Sequence, residues 1–478
     1  MKNAVKLLIT CLFWTTALSA AQYYVSPTGS GNGSLKNPWP LSVALTNRVI
    51  THGDFVWLRG GVYSNLYTTT LACSATGAPI IFRNYANEEA TIDGQLTITS
   101  SSTNVWFWGL EFIDSQKTNR VSAFCTIYGL GEGNKLINCL IHDCCIGTSP
   151  QGQAEAYGNI FWNCGKDGLE HCIYWQNASD TESRVIDNNI LSNPASLGMQ
   201  LYGQDAQLKN FVIQNNTMNG AAILLGGGNP VVNALIVSND MCNFRGSACD
   251  LLLGYNVNTV NSNVVMVANY FAAGSPLMFN NCLWNNLVIT NNVLYSSNWV
   301  VINSLTNLSA NVFTWGYNSY FNENPMWQTY LWRLDDGSRG SLAQWRKNGY
   351  DLQSTYTNTP PPDRVIVRPN KYEAKRANIT VWNWSVSSMV TADVSSVLAV
   401  GDTYIIRNGL NYFDAPVASG TYTGQPLQLP MTNLTVAPAL YGYIPVTSYE
   451  NPYPTFGAFL LIGSPAITPP QHIRVVSP

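Results

Sequence analysis

Charge is what this chain has least of. Only 11% of its 478 residues are Asp, Glu, Lys or Arg, the formal net charge is −3, and there are 4 histidines. So thin a charge excludes a nucleic-acid footprint, a polyacidic tail and any polyanion held by bulk charge. No repeated C-x2-C pair occurs, so a zinc site of that spacing is not encoded. Beyond the first twenty or so residues, no run approaches the roughly 20 apolar residues of a membrane span. Aromatics, by contrast, reach 12%, with 15 Trp and 25 Tyr, which suits core packing and also stacking on sugar rings.

The opening residues, MKNAVKLLITCLFWTTALSAAQYY, carry Lys2 and Lys6, an apolar run from Leu7 to Leu18, and small residues at Ser19, Ala20 and Ala21. They read as a signal peptide over 1–21, which predicts a secreted or periplasmic protein. Cys11 lacks the preceding small residue of a lipid-anchor site, so free export is expected. Of 11 cysteines, ten remain once Cys11 is set aside. Cys125, Cys139, Cys144, Cys145, Cys164 and Cys172 lie in or beside apolar runs, which favours buried thiols, with one or two disulfides as the alternative. Adjacent Cys144 and Cys145 would point to opposite faces of a strand, so at most one enters the interior.

A repeat runs through the middle of the chain. NVWFWGLEF, KLINCLIHDC, EAYGNIFWNC, RVIDNNILSN, FVIQNNTMNG, LIVSNDMCN, LVITNNVLYS and TWGYNSYF alternate apolar and polar residues, most with an Asn pair or Gly-Asn. Taking Gly109, Asn138, Gly158, Asn188, Asn215, Asn239, Asn269, Asn291 and Tyr317 as equivalent, the steps average about 26 residues, the band of solenoids. The alternation has period two, so the units are strands, and segments such as HCIYWQN, LGMQLYG and AAILLGGG supply further strands to each coil. Asn and Gly at the bends supply left-handed backbone, and stacked Asn side chains can bond from coil to coil.

GDFVWLRGGVY (Gly53 to Tyr63), preceded by NPWPLSVAL, resembles the N-terminal cap and first coil of secreted right-handed β-helix proteins of the pectate-lyase-like superfamily. That group includes lyases similar to chondroitinase B and alginate lyases. The resemblance covers about residues 22–322 and implies an all-β right-handed parallel β-helix. It implies fold far more than chemistry, since lyases, hydrolases, epimerases and inactive relatives share the cap. After Phe321 the repeat fades. A linker over 323–362 holds one short helix, SLAQWRKNG, with Ser341 as N-cap and Gly349 as C-cap, and ends in Pro360-Pro361-Pro362. Residues 363–478 show strands every 8 to 12 residues or so, a small β-sandwich; RANITVWNW resembles the sandwich that often follows such helices in bacterial proteins.

Aligning HCIYWQN, GMQLYG and AILLGG puts Ile173, Met199 and Ile223 inward, and Trp175, Leu201 and Leu225 inward at the next position. Tyr174, Gln200 and Leu224 then form one outward column, with Gln176, Tyr202 and Gly226 in another. Tyr174, Gln176, Gln200 and Tyr202 are expected to bind sugar hydroxyls; a plain solvated sheet face is the equal alternative. Charged residues border them: His142 and Asp143, then Lys166, Asp167, Glu170 and His171, then Asp205 and Lys209. Elimination from a uronate polysaccharide needs a cation or Ca²⁺ on the carboxylate, a base for the C5 proton and an acid for the leaving oxygen. Lys166 or Lys209 suits the first or second role, and Tyr174 or His171 the base or acid. Hydrolysis would use two carboxylates, Asp167 or Glu170 with Asp205.

Neither set stands in a familiar order. The paired Asp and Gly-His-Gly of polygalacturonase-like hydrolases are absent, Glu170-His171-Cys172 standing in their place, and so is the dense Asp cluster of Ca²⁺-dependent pectate lyases. His171 falls two residues before inward Ile173, so alternation points it inward; His142, between apolar neighbours, is expected inward on a bend carbonyl. The leading expectation is a monomeric, exported polysaccharide lyase. The alternatives are a hydrolase on the same scaffold and a non-catalytic polysaccharide-binding or cell-surface protein. No cofactor is specified beyond the Ca²⁺ option.

Overall fold

The computed structural model describes residues 20–86, 88–115, 125–129, 131–149, 154–165, 169–176, 183–204, 208–244, 249–255, 259–279, 283–303, 313–323, 332–334, 339–347, 349–440 and 450–463. The expected signal peptide lies almost wholly outside them. Parallel strands from Gln22–Val25 to Phe313–Gly316 stack into a 13-stranded sheet, the first face of a parallel β-solenoid. A second sheet of 22 strands is bent along its length into two further faces. Each middle coil gives one strand to each, as Ile160–Cys164 to the second face and Ile173–Trp175 to the third.

Alternation fixes what each strand buries, because successive side chains point to opposite sides. Ile173 pairs with Met199 and Trp175 with Leu201, and these pair onward to Ile223 and Leu225. All six are fully buried in one continuous core, so the inward register expected from the sequence is the register of the fold.

The corners depend on asparagine. Gly109, Asn138, Gly158, Asn188, Asn215, Ser238, Ala268, Asn291 and Tyr317 all have φ between 53° and 68° and form one left-handed column. Two expected equivalents, Asn239 and Asn269, are displaced by one residue: Ser238 and Ala268 take the left-handed corner. Asn239 and Asn269 belong instead to a buried ladder one position on. From Asn159 through Asn189, Asn216, Asn239, Asn269 and Asn292 to Asn318, each Nδ2 donates to the next Oδ1 at 2.9 to 3.0 Å. An amide is the side chain that can both accept from one coil and donate to the next, which keeps buried polar groups paired.

The solenoid is closed at its far end from within 323–362. Leu342 and Trp345 of the helix Leu342–Lys347, with Tyr350, join the solenoid core. Ser341 Oγ caps this helix by accepting from Gln344 N at 3.3 Å, and Gly349 ends it at φ +89°. The strand Thr355–Thr357 pairs in parallel with Ser319–Phe321, so the coil stacking passes beyond 322.

Strands within 364–440 and 450–463 form antiparallel sheets of five and two strands enclosing their own core, from Ala377 to Leu461. Central in the larger sheet, Phe456–Gly463 is buried almost throughout. Phe459 and Leu461 enter the sandwich core, while Phe456, Ala458 and Leu460 pack on the solenoid's second face against Trp162, Ile190 and Tyr270. Asp240, on that face, accepts from Trp382 Nε1 at 2.8 Å and is paired with Arg368. The turn after Arg364–Pro369 clasps the first face: Tyr372 Oη donates to Glu155 at 2.6 Å, with its ring edge-on to Trp106, Trp108 and Tyr157.

Cys139, Cys164, Cys172 and Cys242 are buried free thiols, and Cys144 Sγ donates to Cys164 Sγ at 3.7 Å. Cys144 enters the solenoid core, as expected of one of the adjacent pair, and Cys145 is also buried, at the bend between second and third faces. No helix among the described residues is long and apolar enough to cross a membrane.

Candidate functional site

With the sandwich on the second face and its turn on the first, the third face presents its outward residues to solvent. Thr97 pairs with Tyr128, Tyr128 with Ser149 and Tyr174 with Gln200; Thr148 pairs with Ile173, which sets Ser149 beside Tyr174. This column carries hydroxyl, phenol and amide groups for five successive coils and then turns apolar at Leu224, Leu252 and Met278. Tyr128 is 46% exposed, Tyr174, Gln200 and Tyr202 are half-buried, and Leu224 is buried. Gln176 is half-buried with its Oε1 shielded from solvent.

Tyr202 has a partner that sequence reasoning missed. The Tyr255 ring, 51% exposed, stands edge-on to it at 5.1 Å. Between their coils lies Gly226, level with Tyr202, where a Cβ would come within 2.5 Å of the Gly254 backbone. The glycines permit close coil contact and leave a dip between the phenols. Burial, then the charge of a neighbouring Tyr255, raises the Tyr202 pKa, so this phenol stays a hydrogen-bond donor at neutral pH. DLLLGYN held the Tyr255 signal: with Leu253 in register with Leu201 through Leu225, Tyr255 falls one place beyond Tyr202.

Among the described residues, the charged border does not gather on this face. Glu170 is fully buried and His171 is 1% exposed, its Nδ1 accepting from Leu197 N at 3.3 Å. That corrects the expectation of Glu170 as a rim acid, while Cys172 and Ile173 both enter the solenoid core, so the alternation that pointed His171 inward is interrupted by the bend at Cys172. The His171 ring centroid lies 6.3 Å from that of Tyr174. Lys209 pairs with Val232 in the first sheet rather than standing on the third face. Lys166, Asp167 and Asp205 lie outside the described residues. Among the described residues no group of three His, Cys, Asp or Glu side chains could hold a metal, so Ca²⁺ finds no such ligand set there.

His142 corrects a second expectation. It faces out of the solenoid, stacked on Trp162 at 3.9 Å and covered by Phe413 of the sandwich. Its Nδ1 lies 2.7 Å from Asp143 and its Nε2 2.9 Å from Glu111. Burial lowers its pKa, but the two carboxylates outweigh burial and the net shift is upward. Glu111, which also accepts from Thr91, is held below its usual range: burial pushes it up, and the His142 and Thr91 bonds more than reverse that.

No family model and no curated protein matches this sequence. Solved structures similar to it include a mannuronic acid specific polysaccharide family 6 lyase from human gut microbiota, 13% identical, with TM-score 0.45 over 71% of this chain and 92% of that one. Another is lacto-N-biosidase from Eubacterium ramulus, 14% identical, with TM-score 0.47 over 70% of this chain and 66% of that one. A third is a pectate lyase, 15% identical, with TM-score 0.38 over 72% and 80%.

Proposed function

We propose that this is an exported carbohydrate-active protein that holds a polysaccharide across the third face of its solenoid. The observation behind this reading is the outward column Tyr128, Ser149, Tyr174 and Gln200 beside the crossed phenols Tyr202 and Tyr255. Phenol rings offer apolar faces to sugar C–H groups, while hydroxyls and amides exchange hydrogen bonds with sugar hydroxyls. Coils stack about 4.8 Å apart, so a chain lying along the axis meets a new polar side chain at each step.

β-Elimination on a uronate polysaccharide is the enzymatic form of this reading. With Glu170 and His171 buried, this form takes its acid and base from Tyr174 and from Lys166, Asp167 and Asp205, which lie close to Tyr174 or Tyr202 in sequence. Affinity electrophoresis in gels of alginate, pectate and glycosaminoglycans, run beside an absorbance assay for unsaturated products, tests both forms. Retardation with the gel intact supports holding alone, and retardation with unsaturated product supports the lyase. Unretarded migration in all gels with no product defeats the proposal.

A further inference from the structure

A second concavity lies where the sandwich meets the solenoid, away from the third face. It encloses about 550 Å³, between the Arg83 to Ala90 turn, Trp108 and Glu111 on one side and Arg376, Tyr412 and Phe413 on the other. That size suits a small molecule of a few rings.

Its charges cancel. The walls carry the acids Glu88, Glu89, Glu111 and Glu373 against the bases Arg83, Lys375, Arg376 and Arg407. Most are already paired: Glu88 with Arg59 at 2.9 Å, Glu373 with Arg83 at 3.2 Å, Lys375 with Asp402 at 2.7 Å and Glu111 with His142 at 2.9 Å. A polyanion would find no surplus positive field here, and a cation no surplus negative one. What remains is a mixture of hydrogen-bonding groups and exposed ring surface. Glu111, 17% exposed at its side chain, is fixed as an acceptor by Thr91 and His142. Phe413 leaves 46% of its surface open although its ring packs edge-on against His142 and Trp162. Trp108 Nε1, buried in the wall, has no hydrogen-bond partner.

We infer that this cleft is a separate binding site for an uncharged oligosaccharide, with Glu111 accepting sugar hydroxyls and Phe413 packing against a sugar C–H face. Hydroxyls both donate and accept, which matches a wall of mixed polarity, and a neutral ligand incurs no charge desolvation there. The inference is independent of polymer binding on the third face.

Isothermal titration of the full chain with neutral di- to tetrasaccharides of gluco, manno, galacto and xylo configuration, and with uronate oligosaccharides of the same lengths, tests it. At least one neutral series should bind with one-to-one stoichiometry, at least tenfold more tightly than any uronate series. Phe413→Ala should weaken that binding at least tenfold without changing the melting temperature by more than a few degrees, and Tyr202→Ala should leave it intact. Glu111→Gln should also weaken it, read beside a melting curve because it disturbs His142. No neutral binding, a preference for uronates, or binding that survives Phe413→Ala would overturn the site. If polymer retardation is lost in Tyr202→Ala while oligosaccharide binding persists, the two sites are distinct; if polymer binding never appears, the cleft is still judged on its own titration.

Discussion

Two neighbours in one strand separate stability from function. Trp175 fills the solenoid interior and Tyr174 faces out. Trp175→Ala should cost about 3 to 5 kcal/mol, as truncation of a large buried aromatic does, and Tyr174→Phe only a few tenths. Tyr174→Ala and Tyr202→Ala should each weaken retardation in a polysaccharide gel with little change in melting. A harmless Trp175→Ala would refute the register. This much was legible, because a period of two leaves one choice of face once the apolar residues are placed. The direction of His142 was not legible: its outward side is covered by Phe413, more than 250 residues away in sequence, and no local pattern announces such a cover.

His142 and Glu111 also set a pH dependence. The folded pKa of His142 lies above its ordinary 6.5, so its stabilisation is complete below about 6.5 and is lost as pH rises through the folded value. Glu111 is held below its ordinary 4.5, so its share is present above about 4.5 and is lost as pH falls through the lowered value. Together they favour the mildly acidic window between. Melting temperatures across pH 5 to 9 should fall less steeply for His142→Gln than for the parent; parallel curves would show that the pair contributes nothing.

At the scale of the element, the two asparagine ladders make a comparison. Asn239 accepts from Asn216 through both N and Nδ2 and donates to Ile213 O and Asn269. Asn239→Ala would take the acceptor from the Asn216 N and Nδ2 donors and the donor from Ile213 O and Asn269 Oδ1, at about 1 to 3 kcal/mol for each group left unsatisfied. Asn263, in an exposed ladder between Asn233 and Asn286, also has φ +53°. Asn263→Gly keeps that backbone available and should change stability by about 0.5 kcal/mol or less. Chemical denaturation of the two variants checks the contrast, and equal losses would mean that the buried ladder is not special. The sequence announces that coils repeat and that asparagines mark them. It does not separate a corner Asn from a ladder Asn one residue away, because both sit in the same Asn-Asn pair; only the hydrogen bonding tells Asn188 from Asn189.

For the whole molecule, the sandwich behaves as a wall of the solenoid rather than as a module beside it. Tyr270 stacks on Trp382 at 4.3 Å, and Thr217 bonds Thr380 across the junction at 2.5 Å. Calorimetry of the full chain should therefore show one cooperative transition. Two well-separated peaks would mean the contact is weaker than its burial implies. A turn-rich run of strands after a proline spacer looks separable in sequence, and only the second aromatic face of Phe456–Gly463 hints otherwise.

That strand has a consequence in time. A solenoid can stack coil upon coil as its chain is made, each new turn resting on the last. The wall over its second face cannot be finished that way, because its central strand, Phe456–Gly463, follows every coil in the chain. Until that strand arrives, the flank around Trp162, Ile190 and Tyr270 lacks the cover of Phe456, Ala458 and Leu460 on an otherwise assembled scaffold, an adhesive surface of the kind that draws chains together. A stop codon after residue 455 would thus be far more damaging than its short deletion suggests, leaving the coils built and their flank permanently open.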